Sequence, residues 1–401
     1  MPLAVWILAV GAFGFGTTEF LSMGLLPEMA ATFGVDIPTA GWLITAYALG
    51  VVIGAPTLTA LAHRWSRKRV LIALMVLFTL AHVATAAAPT FETLVAARLV
   101  NGLAHGTFFG AAAVVARTLA APGFQGRATA LVFTGLTVAN IVGVPTGTFL
   151  GQQLGWRLSF ALIGLIGVVT VVAVALAVPR VEQSEGGLRA QFAAFGRGQL
   201  WMTLLITLVG FAGTFTVLSY IAPMLTEVTG LATGAVPWVM VVFGVGATAG
   251  NVLGGRLADW SVPRTLALGL AGQGVLFVLL FTLAEHPVAA VLGILGFSFF
   301  GFVMSASIVS RAIHSAGGGA SMASASMQAA FNSANAVGAV LGGLAIDAGF
   351  GFASPALVAA ALSVAGLGVL AWATRLDVSG RAPVDPDVPS RRRRRELARA
   401  A

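Results

Sequence analysis

The chain has 401 residues, of which 58% are hydrophobic and only 9% charged, and its mean hydropathy is +0.95; a soluble domain carries about a quarter charged residues, so a water-soluble globular protein is excluded. The formal charge of +8 sits largely in short loops and in the tail run Arg391 to Arg395, which speaks against a nucleic-acid partner and for contact with membrane lipids. No cysteine is present, which excludes a disulfide framework and a thiolate metal site.

A bilayer core about 30 Å thick takes roughly 20 apolar residues per helix. The sequence supplies such stretches at 3–26, 40–61, 70–88, 92–115, 127–151 and 158–178, then at 200–225, 235–256, 264–284, 287–310, 321–345 and 353–374. The expected fold class is therefore an all-α membrane protein of twelve transmembrane helices. The first stretch lacks the basic n-region of a signal peptide and exceeds its usual apolar length, so it is expected to be retained.

Span one carries Glu19, followed by Phe20 and Met23. Span two carries Tyr47, and span four carries Arg98, Asn101 and His105, spaced i, i+3 and i+7 on one helical face. Glu19 and Arg98 are the two formal charges deep inside spans, where such groups turn toward a cavity or a partner. From Leu3 to Glu19 a helix rises about 24 Å, and from Glu92 to Arg98 the antiparallel span descends about 9 Å; the two side chains are expected at similar depth. Burial favours a neutral carboxyl and a nearby guanidinium favours an ionised one. A Glu that exchanges access to water, substrate and Arg98 is thus a proton carrier; a Glu and Arg pair that only holds helices together is the alternative. His105 fits either a proton relay or a hydrogen-bonded interface histidine. Further along, Asn140 in span five, Tyr220 late in span seven, and Gln328, Asn332 and Asn335 at i, i+4 and i+7 in span eleven complete an expected substrate cavity, since polar amides in lipid need protein or water as partners. With no other buried acid or base in view, the expected cargo is neutral or weakly charged. A need for a cofactor or a metal is not expected.

Basic residues are retained in cytoplasmic loops. Alternate loops carry Arg64, Arg67, Lys68 and Arg69, then Arg117 and Arg127, then Arg180, Arg189 and Arg197, then Arg256 and Arg264, then Arg311; the opposite set carries Arg157 with mostly acids. Both termini are therefore expected in the cytoplasm. An internal repeat with an offset of about 196 residues pairs Gly14-Phe15 with Gly210-Phe211, Pro27 with Pro223, and Gly34, Trp42, Gly50 and Gly54 with Gly230, Trp238, Gly246 and Gly250. Ala139-Asn140-x-x-Gly143 recurs as Ala334-Asn335-x-x-Gly338, at an offset of 195. This predicts two pseudo-symmetric six-helix bundles, 1–179 and 200–375, joined by a cytoplasmic linker, 180–199, with a basic, Pro-rich disordered tail at 376–401. In transporters of that symmetry the site lies between the halves near the midplane.

The segment Thr59-Ala60-Leu61-Ala62-His63-Arg64-Trp65-Ser66-Arg67-Lys68-Arg69 is similar to the loop G-x-L-A-D-R-x-G-R-R of the major facilitator superfamily. His63 stands where that motif has Asp, while the second-half copy Gly255-Arg256-Leu257-Ala258-Asp259 keeps it. Span five, with Gly143, Pro145, Gly147 and Gly151, resembles the antiporter motif, and Arg98-Leu99-Val100-Asn101-Gly102 resembles the R-x-x-x-G motif. Over roughly residues 2 to 378 the chain thus resembles the twelve-span drug:proton antiporter branch, near the arabinose-efflux and chloramphenicol-exporter-like permeases. That resemblance implies a non-enzymatic, monomeric exporter of a drug, sugar or metabolite in the bacterial cytoplasmic membrane, driven by a proton gradient. It implies conformational gating by His63, Arg64, Arg67, Arg69, Gly143, Pro145, Gly147 and Asp259. An importer or facilitator on the same fold, and more remotely a membrane sensor, are the alternatives.

Overall fold

The computed structural model describes residues 2–181, 198–316 and 320–378. Among them lie twelve helices long and apolar enough to cross a membrane: α1 (Leu3–Gly24), α2 (Ile37–Leu61), α3 (Arg67–Ala87), α4 (Phe91–Leu119), α5 (Gln125–Leu154), α6 (Trp156–Ala177), α7 (Gly198–Ser219), α8 (Thr233–Trp260), α9 (Val262–Thr282), α10 (Pro287–Ala312), α11 (Ser326–Phe350) and α12 (Ser354–Leu376). Each expected span coincides with one of these. Two departures have local causes. The seventh span stops at Ser219, because Tyr220 leaves the helical region (φ −117°, ψ 24°) before Ile221–Pro223 resumes. The tenth helix runs on to Ala316, so Arg311, expected in a loop, lies within it and donates from Nε to Thr203 Oγ1 at 3.3 Å. Most of the expected linker and nearly all of the expected tail, including Arg391 to Arg395, lie outside the described residues.

The repeat is visible as packing. In the first half α1 lies on α5, α2 on α4 and α3 on α6; in the second α7 lies on α11, α8 on α10 and α9 on α12. The halves meet along two seams, α2 with α11 and α5 with α8. These pairings explain the repeated glycines. A Cβ at Gly50 or Gly54 would overlap the carbonyls of Leu99 and Leu103 on α4, and one at Gly246 or Gly250 those of Leu295 and Phe299 on α10. Only a residue without a side chain allows such an approach of two backbones. Gly34 and Gly230 match for another reason: both turn the chain with positive φ, 64° and 72°, a conformation that costs glycine little.

The antiporter-like segment of α5 deforms its helix. Residues Ala139–Gly143 form a π-helical turn in which the Val144 N–H reaches back to the Ala139 carbonyl, and Pro145 next to it has no N–H to restore the ordinary ladder. The widened turn lies on the seam, where a Cβ at Gly244 of α8 would meet the Asn140 backbone at 2.6 Å. Gly143 faces Thr17 and Phe13, and Gly147 faces Leu21, so α5 also packs closely on α1.

Candidate functional site

Glu19 is 1% exposed and its Oε1 has no hydrogen-bond partner. Its carboxyl faces the Asn332 amide of α11, across the junction between the halves, and lies within electrostatic reach of Arg98. No ion pair joins Glu19 to Arg98, although the sequence places them at one depth. The Arg98 donors go elsewhere: Nε to the Leu43 carbonyl at 3.3 Å, Nη1 to Thr18 Oγ1 at 3.1 Å and Nη2 to the Thr18 carbonyl at 3.3 Å. Its guanidinium lies 4.5 Å from the centre of the Tyr47 ring and 5.5 Å from that of Phe160. A buried cation needs acceptors on its donors and a polarisable surround. Arg98 obtains both from α1, α2 and α6, and leaves the Glu19 carboxyl beside it unpaired.

His105 bridges the halves. Its Nδ1 lies 2.7 Å from the Tyr47 hydroxyl and its Nε2 lies 3.1 Å from Gln328 Nε2 on α11. The amide nitrogen can only donate, so Nε2 accepts and Nδ1 carries the hydrogen toward Tyr47. Along α11 the expected amide stripe continues with Asn332, which donates to the Gln328 carbonyl at 3.2 Å and leaves its Oδ1 without a partner. Asn335 is fully buried with neither amide atom bonded. A buried polar atom left unsatisfied costs about 1–3 kcal/mol. Glu19, Asn332 and Asn335 are thus acceptors and donors held open at the junction of the two halves.

The other residues expected in one cavity fall in several places. Phe20 and Met23 pack in an apolar cluster shared by both halves with Phe215, Met240 and Phe243, and the Phe20 and Phe215 rings stack at 6.3 Å. Asn101 turns to α3 and donates to Thr85 Oγ1 at 2.8 Å. Asn140 is buried at the α5 and α8 seam. Tyr220 lines a cavity of about 180 Å³ with Pro38, Gly41, Trp42 and Gly343, at the face opposite the N-terminus. Its hydroxyl donates to the Ala339 carbonyl at 2.7 Å and fills the space left by Gly41 and Gly343, while its ring packs on Gly342. A larger, nearly apolar cavity of about 390 Å³ lies between α2, α7 and α11 toward the N-terminal face.

Of the expected gating residues, Arg64, Arg69 and Asp259 are exposed and Arg67 is buried. Among the described residues these four form no ion pair with one another, and the His63 side chain lies outside the described residues. One buried titratable residue carries no signal in the charge pattern: His82 of α3, fully buried, with Nε2 2.9 Å from Thr18 Oγ1 and Nδ1 2.7 Å from the Phe78 carbonyl. A search extended from Asp, Glu, Lys and Arg to every ionisable residue inside a span would have found it.

A family model described as Major Facilitator Superfamily matches residues 8–324. The inner membrane transport protein YdhP of Escherichia coli K12 is 39% identical over 364 residues, 90% of this chain and 93% of that protein. A chloramphenicol resistance protein of Streptomyces lividans is 33% identical over 390 residues, 96% of this chain and 99% of that one. Among solved structures, a bacterial homolog of the human lysosomal transporter Spinster, inward-facing and unoccupied, has a TM-score of 0.75 at 16% identity over 95% of this chain and 98% of its own, a likeness of fold. With the family match spanning most of the sequence and these relatives aligned along nearly all of it, the chain belongs to the major facilitator superfamily and is a membrane transporter, not an enzyme.

Proposed function

We propose that this transporter exports small neutral or weakly charged molecules from a bacterial cell in exchange for protons, with both termini on the cytoplasmic side of the inner membrane. The orientation is supported by the basic loops, and the membrane by the relative named an inner membrane transport protein. Export is supported by the relative named a chloramphenicol resistance protein. The cargo class is supported by the aromatic cluster of Phe20, Phe215 and Phe243 and by the unbonded amide atoms of Asn332 and Asn335. Planar apolar surface with a few hydrogen-bonding groups suits such a lining.

The observation that carries proton coupling is Glu19: a buried carboxyl with a free oxygen, facing Asn332 of the other half and near a guanidinium that is already satisfied. When the halves rock apart, α11 leaves α1, the Asn332 amide withdraws and the carboxyl meets water. Opened outward, Glu19 takes a proton. Opened inward, it releases the proton and the pocket accepts cargo, so inward proton flow drives outward transport. His105 and Gln328 part in the same movement, and Tyr220 closes the outer end.

Purified protein in vesicles, with radiolabelled chloramphenicol, other antibiotics and pentoses as probes, tests this. Wild-type transport should follow an imposed pH gradient. Glu19→Gln should lose gradient-driven transport while it inserts normally and still exchanges labelled for unlabelled cargo. Full gradient-driven transport by Glu19→Gln would sink the proposal.

A further inference from the structure

The second half contains a reference for the surroundings of Arg98. Thr214, at the position matching Thr18, donates to Gln273 Oε1 of α9 at 3.2 Å, and Gln273 Nε2 donates to the Gly210 carbonyl at 2.9 Å. A buried side chain of the third helix thus holds a threonine of the first helix in each half: Gln273 on Thr214, and His82 on Thr18. Among the described residues of the second half nothing further is attached to Thr214, and the position matching Arg98 is Ile294. In the first half the same threonine carries two of the three Arg98 hydrogen bonds.

The hydrogens around Thr18 can be placed. The Phe78 carbonyl only accepts, so His82 Nδ1 carries a hydrogen, and Nε2 of the neutral ring accepts. Thr18 Oγ1 receives Arg98 Nη1–H and has one hydrogen of its own, which goes to His82 Nε2. Each hydrogen bond along the chain Arg98, Thr18, His82, Phe78 then has one donor and one acceptor. With the Thr18 hydroxyl hydrogen turned to His82, its lone pairs are presented to Arg98. Thr18 adjoins Glu19 on α1, so the grip of Arg98 on the Thr18 carbonyl also fixes the turn that carries the carboxyl. The charged and titratable groups facing this knot are Arg98 of α4, Glu19 of α1, Tyr47 of α2 and His82 of α3, with His105 of α4 behind Tyr47 on its hydroxyl; α6 contributes the Phe160 ring.

We infer that His82 is a positioning residue for the proton site: through Thr18 it keeps the Arg98 guanidinium on backbone and hydroxyl acceptors, and so keeps it out of an ion pair with Glu19. Without His82 the Thr18 hydroxyl turns, Arg98 loses an acceptor and is free to swing onto the carboxylate. Glu19 would then be held as one half of a fixed pair rather than as an exchangeable proton site. The functional consequence rests on the proton-antiport reading; the positioning itself does not.

The test needs no cargo. In membranes of purified protein, infrared difference spectra across a pH titration isolate the carbonyl stretch of protonated Glu19 as the band missing from Glu19→Gln. His82→Leu and Thr18→Val should each displace its midpoint by about one pH unit, a tenfold change in proton concentration. The double variant should move it no further, as expected for two members of one chain. His82→Gln, which can bond threonine as Gln273 does, and Thr18→Ser should restore the wild-type midpoint. Thr18→Val keeps the shape of its side chain and carries the test where His82→Leu does not accumulate. An unmoved midpoint in both, or additive shifts in the double variant, would overturn the inference and leave His82 a tether like Gln273. Wild-type transport indifferent to a pH gradient would end the antiport reading without touching the infrared result.

Discussion

Around Thr18 the first half gathers Glu19, Tyr47, Arg98 and His105; around Thr214, 196 residues on, the second half has Phe215, Phe243, Ile294 and Gly301. The backbones run alike, and α2 approaches α4 as α8 approaches α10. The difference teaches that backbone approach and interior chemistry are set by separate residues. Glycines that admit a neighbouring carbonyl have to be kept in both halves. The side chains that fill the interior can diverge, and here one half is ionisable and the other aromatic and aliphatic.

The sharpest way to break that comparison is to put the charge of the first half into the second. Ile294→Arg would place a guanidinium at a fully buried position with no carboxyl at the Glu19-equivalent site, a cost of about 2.5–3.5 kcal/mol or more. Membrane abundance, followed by fluorescence-detected size exclusion, should fall severely, and adding Phe215→Glu should recover part of it. Normal accumulation of Ile294→Arg would show that the second half tolerates the charge and that its apolar filling is incidental. A smaller effect tests what the halves share. Gly50→Ala and Gly246→Ala should each cost about 1–3 kcal/mol from overpacking, with similar falls in melting temperature in detergent; a large fall in one only would mean that the two helix pairs are not equivalent. Smaller still is Tyr220→Phe, which removes one hydrogen bond, to the Ala339 carbonyl, at about 1 kcal/mol. Its first-half match is Gly24, packed on Thr148, so the tyrosine wedge between α2 and α11 exists at one seam only.

Span positions, the repeat and the depth of Glu19 and Arg98 are legible in the sequence, since apolar length, glycine register and helical rise all leave marks along the chain. Partners are less legible. Arg98 is held by the Leu43 and Thr18 carbonyls and by two rings, and a backbone acceptor has no residue code, so a nearby acid looks like the natural partner when it is not. Arg98, Asn101 and His105 share a face of α4, yet that face is broad enough that Asn101 falls to Thr85 of α3 while His105 reaches Tyr47 and, across the seam, Gln328. Tyr220 reads as a cavity residue because a buried tyrosine in a span suggests one. It does line a cavity, but one at the face opposite the N-terminus, where its hydroxyl end enters the slot left by Gly41 and Gly343, apart from Glu19 and the amides of α11.

The last asymmetry is Glu28, which stands where the second half has Met224. It lies between α1 and α2, outside the spans, and burial pushes its carboxyl above the usual 4.5, opposed by its own backbone and by Gln152. Gln152 also donates to the Thr233 carbonyl of the other half at 3.2 Å, so Glu28 acts on a contact that ties the halves together at this face. The sign follows from the raised value: the fold prefers the protonated form, so the contribution of Glu28 to stability is fully present below 4.5 and is lost as pH rises through the raised folded value. Wild-type protein minus Glu28→Gln, compared by thermal unfolding from acidic to neutral pH, should therefore show wild type gaining stability on acidification. The variant, neutral throughout, should be slightly the more stable at pH 7, by less than about 1 kcal/mol once screening of a part-exposed group is allowed for. Taking the difference cancels the other titrating groups. A wild type that loses stability relative to Glu28→Gln as the pH falls would reverse the sign, and would mean that the ionised carboxylate, through Gln152, is what holds this face of the two halves together.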